Sequence, residues 1–469
     1  MNYISTRGLA PSLGFEDVLL AGLARDGGLY VPETWPRLEK QAIASLAGRP
    51  FAEVAVEVIQ PFAGGAFSRE ELLAMARDAY ATFGHPAATP LVQLNSNLWV
   101  LELFHGPTLA FKDVAMQLLA RLMDHVLKRR GRRATIVGAT SGDTGGAAIE
   151  AFRGSKAVDV VILYPAGRVS DVQRRMMTTP RERNVHAIAI DGTFDDCQAL
   201  VKGMFNDHAF RDRMQLAGVN SINWARIVAQ VTYYFVAAVA LGAPHRPVSF
   251  VVPTGNFGDI FAGYVARQMG LPIERLVIAS NVNDILPRTV ATGVYEKRGV
   301  TATTSPSMDI EVSSNFERYL FEAQGRDSAL IRGQMAALAQ SGRFEVKGGP
   351  ELLARDFSAA SASEEDVAEI IRRTRQVSGY MTEPHTACGL VAAERCLKPG
   401  STPQVVLSTA HPAKFPDTIE RILGERPQLP PRLASLMTDE ERTTLLPNDL
   451  RAVESFIEQH AGAAAEQLG

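Results

Sequence analysis

The sequence predicts an α/β protein: two parallel sheets with helices on both faces, preceded by a mostly helical N-terminal unit. Three observations predict it. From about residue 98, short β-branched runs alternate with helical stretches, as parallel sheets joined by helical crossovers require. Two of these runs lead straight into glycine-rich loops that open helices, Gly138–Gly146 and Pro253–Asp259. The chain of 469 residues is also too long for one simple core and suits two or three domains.

Composition narrows the function classes. Apolar residues make up 46% and charged residues 21%, ordinary for a soluble globular protein. A net charge of −3 gives no general reason to bind nucleic acid or an anionic membrane. Three cysteines without a CxxC pair argue against a zinc site or a disulfide framework and suit a reducing compartment. The first residues lack the apolar core of a secretory signal. The most apolar stretch, Ile227–Leu241, is too short to span a bilayer. A cytoplasmic monomer or homodimer acting on a small molecule is expected.

Taken in order, residues 1–95 read as a separate unit. Phe15–Ala24 forms a helix closed by Asp26-Gly27-Gly28, and Leu29–Pro32 is extended. Ser68-Arg69-Glu70-Glu71 is a capping box opening a helix to about Phe83, followed by a linker over Gly84–Pro90. Residues 96–425 carry the alternating part. Its strands are Leu98–Leu103, Ala134–Val137, Val158–Leu163, His186–Ile190, Val248–Val252, Leu276–Ala279 and Val405–Leu407. A helix begins near Asp195, and Ile222–Leu241 is a long buried helix. The basic run Lys128–Arg133 reads as a solvated helix end, where cations suit the dipole. In residues 426–469, prolines break the chain and Thr438–Glu441 forms a second capping box. A last helix covers about Asn448–His460, and the Ala/Gly-rich tail is loose. No chemistry is visible in this extension.

The chemistry concentrates in three places. Val114, Leu118, Leu122 and Val126 mark an amphipathic helix, which puts Lys112 in its first turn after the His105–Thr108 turn. Burial and the positive helix end both favour a neutral amine, the nucleophilic form that makes a Schiff base. A solvated lysine paired with Asp113 is the bland alternative. The loop containing Thr140, Ser141, Gly142, Asp143 and Thr144 brings amides and hydroxyls to a helix N-terminus, where an anion is stabilised. It is neither a dinucleotide fingerprint nor a P-loop. The amides of Gly255, Asn256, Phe257, Gly258 and Asp259 offer the same cradle with no cation inside, which suits a permanently anchored phosphate. Each loop alone is also explained as a tight turn between strand and helix. Ser408–Phe415 follows a third strand. Ligands gather at strand carboxyl ends in open α/β sheets. Together the three places would hold pyridoxal 5'-phosphate: aldehyde at Lys112, phosphate at Gly255–Asp259, ring nitrogen at Thr409.

Longer motifs sharpen this reading: DGGLYVPE at 26–33, FHGPTLAFKD at 104–113, GATSGDTGGAA at 138–148, NSINWARI at 220–227, PTGNFGDI at 253–260, SPSMDI at 305–310, EPHTACG at 383–389 and STAHPAKF at 408–415. In these the chain resembles the threonine synthase family of the long-chain bacterial and fungal type, within the fold-type II pyridoxal-phosphate enzymes of tryptophan synthase β-like architecture. The resemblance implies conversion of O-phospho-L-homoserine and water into L-threonine and phosphate. It implies that Lys112 carries the cofactor and, once displaced by substrate, moves protons at Cα and Cβ. It further suggests that the Thr140–Thr144 loop grips the substrate carboxylate and that Ser221, Asn223 and Arg226 lie near its phosphate. His105, His385 and His411 fall in matching motifs as structural or proton-carrying residues; Met176-Met177 and Tyr233-Tyr234 read as core. The nearest rival is a phospho-lyase on the same scaffold that releases a keto acid. A catalytically silent relative and a nucleotide-dependent enzyme fit less well, given an intact Lys112 and loops without a Walker lysine.

Overall fold

Apolar runs bounded by turn residues become the strands of two sheets. The computed structural model describes residues 1–398 and 400–462. The larger sheet has six strands in the spatial order Phe357–Ser361, Ile273–Ser280, Val248–Pro253, Gln404–Ser408, Leu98–Glu102, Leu91–Gln93. All neighbours run parallel except the edge strand Leu91–Gln93. The second sheet has five parallel strands, ordered Thr444–Pro447, Val185–Asp191, Val158–Pro165, Ala134–Ala139, Leu216–Ala217. Every residue of Val158–Pro165 is buried, which is why that stretch reads as continuously apolar rather than alternating.

The N-terminal unit is mostly helical, as expected, and adds a small sheet. Asn2–Ser5 pairs antiparallel with Leu13–Gly14 and with Tyr30–Pro32. Helix Phe15–Ala21 packs against this small sheet, the Tyr3 hydroxyl donates to Phe62 O at the end of helix Phe51–Ala63, and Arg69–Tyr80 packs on that helix in turn. The Ser68 capping box is present, with Ser68 Oγ accepting from the Glu71 amide. Its sequel at Thr438–Glu441 is not: no helix follows, and the chain instead enters the edge strand Thr444–Pro447. Pairing with Val185–Asp191 overrides the local signal there. The last helix, Leu450–His460, lays Val453 and Ile457 fully buried against Cys197, Leu200 and Met204. The tail from residue 463 lies outside the described residues.

The basic run at 128–133 also departs from its reading. Arg129 pairs with Glu16, and Arg130 reaches both Glu16 and Asp17, so this helix end faces the N-terminal unit as well as solvent. The helix Trp224–Ala240 is the hub. It contacts the lysine helix Lys112–Arg129, the N-terminal helix Phe51–Ala63 and the helix Gly258–Gln268. Its apolar circumference is explained by neighbours on several sides.

Candidate active site

Lys112 is the first residue of its helix and nearly buried, with its ammonium 4.9 Å from the Phe111 ring centre. Burial lowers its proton affinity most; Asp143 opposes this, while Lys414 and Arg226 lower it further. The amine is therefore biased toward its neutral form, as a nucleophile must be. Asp113, its neighbour, turns away. Its carboxylate accepts both the amide and the hydroxyl of Thr108, and burial pushes it up to about 6. The solvated Lys112–Asp113 pair is thus absent.

Asp143 starts the helix Asp143–Phe152 and sits between two lysines. Its Oδ1 is 2.6 Å from Lys414 Nζ and its Oδ2 3.4 Å from Lys112 Nζ. Burial would raise its pKa, but Lys414 and then Lys112 hold it far below the usual carboxylate range. Thr140 builds this loop from inside, its hydroxyl accepting from the Gly142 and Gly145 amides. No hydrogen bond to a described residue satisfies the amides of Ser141, Asp143 or Thr144.

The second loop follows Val248–Pro253. Phe257 adopts a left-handed conformation, φ 62°, as the residue before the helix Gly258–Gln268. The carbonyls face outward: Ser313 Oγ donates to Gly255 O, and Asn315 donates twice to Asn256 O. The five amides from Gly255 to Asp259 have no acceptor among the described residues. A Cβ at Gly255 would come within 2.7 Å of the Ser307 carbonyl, so only glycine lets the loop lie this close. Asp259 turns its carboxyl inward, where the hydroxyls of Tyr233 and Tyr234 donate to Oδ1 at 2.5 and 3.0 Å. Burial nevertheless pushes it up to about 7. A carboxyl that gives up its proton only near neutrality repels an anion in the adjacent cradle less than an ordinary aspartate would.

Arg226, two residues into the Trp224–Ala240 helix, is 4% exposed. Its guanidinium donates to the Val219 carbonyl, its Nε has no acceptor, and no carboxylate pairs with it among the described residues. Burial lowers it to about 10. A buried cation without an anion is costly unless a ligand supplies one. Thr409 follows Gln404–Ser408; its backbone bonds Phe111 and Thr386, while its hydroxyl has no partner among the described residues.

Three family profiles divide the chain: "Threonine synthase N terminus" matches residues 2–80, "Pyridoxal-phosphate dependent enzyme" 82–347, and "Threonine synthase, C-terminal" 386–457. The threonine synthase of Pseudomonas aeruginosa is 53% identical over 462 residues, covering 98% of both chains. The chain belongs to the threonine synthase family. A crystal structure of the pyridoxal-phosphate-bound threonine synthase of Brucella melitensis is 58% identical, with a TM-score of 0.96 and coverage of 98% of this chain and 99% of that one. The yeast threonine synthase structure is 39% identical, with a TM-score of 0.92 over 98% of both. The fold is that of the fold-type II pyridoxal-phosphate enzymes, and the cofactor is pyridoxal 5'-phosphate.

The residues of this threonine synthase family member fit the cofactor. The free amides at Gly255–Asp259, the unpartnered Thr409 hydroxyl and the weakly paired Lys112 amine lie after strands of one parallel sheet or at the helix facing them.

Three expected roles change. Asn223 is fully buried and committed, capping the helix through the Ala225 amide and donating to Leu19 O, so its side chain anchors the helix start. Asp143 is a carboxylate held by two lysines and would repel a substrate carboxylate; only the loop's amides suit that task. Thr140 is likewise spent inside the loop. Ser221 is half-buried, its carbonyl accepting from Asn315 Nδ2.

Three features escaped the sequence. Lys414 lay inside STAHPAKF but had no visible partner until Asp143 met it. Tyr233 and Tyr234 read as plain core because only the fold brings Asp259 to their hydroxyls. Arg318, fully buried, ties Tyr30 O, Ile222 O and Asn315 together and so braces the Gly255–Asp259 loop against the N-terminal unit. The three histidines are each hydrogen-bonded within the protein. His385 Nε2 accepts the Ser307 amide while Nδ1 faces Glu383, His105 pairs with Glu102, and His411 caps Ala413, with burial and then His105 pushing it down to about 4.

Proposed function

We propose that the chain converts O-phospho-L-homoserine and water into L-threonine and inorganic phosphate. One observation carries the choice of a phosphorylated substrate. Arg226 is a buried, permanently charged group without an anionic partner among the described residues, close enough to Lys112 to depress its proton affinity. Guanidinium is suited to phosphate, which it grips through two parallel hydrogen bonds.

Bound pyridoxal phosphate supplies an electron sink conjugated to the substrate Cα. The rest falls to the chain. The amides of Gly255–Asp259 hold the cofactor phosphate, and Thr409 meets the ring nitrogen as a neutral partner. Lys112, freed when substrate takes its place, removes the Cα proton and carries protons to and from Cβ, which needs an amine neutral near pH 7. The amides of Ser141, Asp143 and Thr144 take the substrate carboxylate at a helix N-terminus. Arg226, with Ser221 beside its helix, holds the substrate phosphate and then the departing one. This reading divides the labour among residues 1–95, 96–425 and 426–469, with chemistry in the middle part. It places a monomer or homodimer in the cytoplasm; no helix among the described residues is long and apolar enough to cross a membrane.

The test is an assay with O-phospho-L-homoserine. Threonine and phosphate in equal amounts support the proposal; 2-ketobutyrate in place of threonine identifies a phospho-lyase instead. Arg226→Ala should raise KM about 10- to 100-fold, the worth of a charged hydrogen-bonded contact, and near-normal KM removes Arg226 from the site.

A further inference from the structure

Two lysines and one carboxylate share the buried floor of the site, and the charges do not balance if both lysines are protonated. Lys414 is 1% exposed and has the better share of Asp143. Its Nζ lies 2.6 Å from Oδ1 and donates to the Thr108 carbonyl at 2.9 Å. Lys112 meets Oδ2 at 3.4 Å and has no second acceptor among the described residues. Asp143 is fixed from two further sides, Gln173 Nε2 donating to Oδ1 at 2.9 Å and Ser307 Oγ to Oδ2 at 3.5 Å.

The other ionisable groups around the pair point the same way. Arg226 adds a third positive charge near Lys112, from the Trp224–Ala240 helix. Asp259, on the Gly258–Gln268 helix, is occupied by two tyrosine hydroxyls. Asp113, on the lysine helix itself, is bonded to Thr108, the residue whose carbonyl receives Lys414. Lys414 therefore sees one carboxylate directly and a second across one residue, Thr108. An uncompensated buried charge is strongly unfavourable, and one proton leaving Lys112 relieves it.

We propose that Lys414 is a positioning residue that monopolises Asp143 and so leaves Lys112 as a neutral amine, ready for the cofactor aldehyde. The residue does not touch the reacting atoms; it acts by denying Lys112 a counter-ion. Replacing its charge hands the whole carboxylate to Lys112, which then keeps its proton to higher pH. This rests on Lys112 being the cofactor lysine, and the measurement below reads the charge of Lys112 directly, independent of any turnover.

The experiment uses the full chain stripped of cofactor. Lys112 is acylated with trace acetic anhydride across a pH series and quantified by peptide mass spectrometry, which gives the midpoint at which its amine becomes reactive. Lys414→Met should raise that midpoint by about one pH unit or more, a tenfold smaller neutral fraction at a given pH. Asp143→Asn should lower it, the double variant should return it toward the parent value, and Lys414→Arg should preserve it. A merely structural role would move stability without this opposed pattern. An unchanged or lowered midpoint in Lys414→Met overturns the proposal. Should that variant fail to fold, side-chain nitrogen resonances of isotope-labelled lysine in the parent chain decide the matter. Lys414 as ammonium with Lys112 as amine near pH 8, about a unit above neutrality, supports it, and the reverse assignment sinks it.

Discussion

Single side chains in this site are defined by what they lack. Lys112 lacks a full counter-ion, Arg226 lacks an anion, and Thr409 lacks a hydroxyl partner among the described residues. Lys112→Ala should abolish the visible absorbance of the purified holoprotein and cut turnover at least about a hundredfold, the usual worth of a positioned proton carrier. A variant that keeps its colour and rate would show that another amine does the work. Asp259 gives a pH signature. Burial raises its carboxyl to about 7, well above the ~3.9 of an unfolded aspartate, so the folded chain holds an extra proton between those values. Its contribution to stability is full below about pH 4 and is lost as pH rises through about 7. In the cofactor-free chain, Asp259→Asn should flatten the fall in urea midpoint over that window. Parallel pH profiles for the two proteins would refute a raised carboxyl.

Elements carry the next scale, and here local sequence signals succeed or fail by what surrounds them. Ser68 and Thr438 open similar patterns, yet only the first starts a helix. The second lies just before a segment that a sheet edge claims as a strand. Glycine-rich loops were visible as text because turns and close approaches select glycine, but their direction was not. Outward carbonyls at Gly255 and Asn256 depend on Ser313 and Asn315, some sixty residues away (separations of 58 and 59). Gly255→Ala should push the loop off the Ser307 carbonyl at a cost of about 1–3 kcal/mol. The expected readout is cofactor affinity weakened about tenfold or more with the fold retained by circular dichroism; unchanged affinity would mean that the loop does not hold the phosphate.

At the scale of the whole molecule, the two terminal segments complete structure begun elsewhere. The N-terminal unit grips the middle of the chain through Arg318 and through Arg7 with Glu317. The C-terminal extension supplies the edge strand Thr444–Pro447 and a helix that buries Val453 and Ile457. Ending the chain at Arg426 should lower the melting temperature by several degrees, since burying two such side chains is worth roughly 1.5–3 kcal/mol each. It also bares the edge of Val185–Asp191, so aggregation should rise. Light scattering during a thermal melt checks both, and a truncated chain that melts like the full one would make the extension dispensable.

Local periodicity, glycine placement and motif order were enough to set the two sheets, the lysine at a helix start, the two glycine-rich loops and the family, because each is written within a few neighbouring residues. Pairings across long separations were not. Asp143 with Lys414, Asp259 with Tyr233, and Arg226 with no anion among the described residues depend on which side chains the fold buries together. Burial sets their charges by removing water, and which groups lose water is decided only when the sheets and helices close around them.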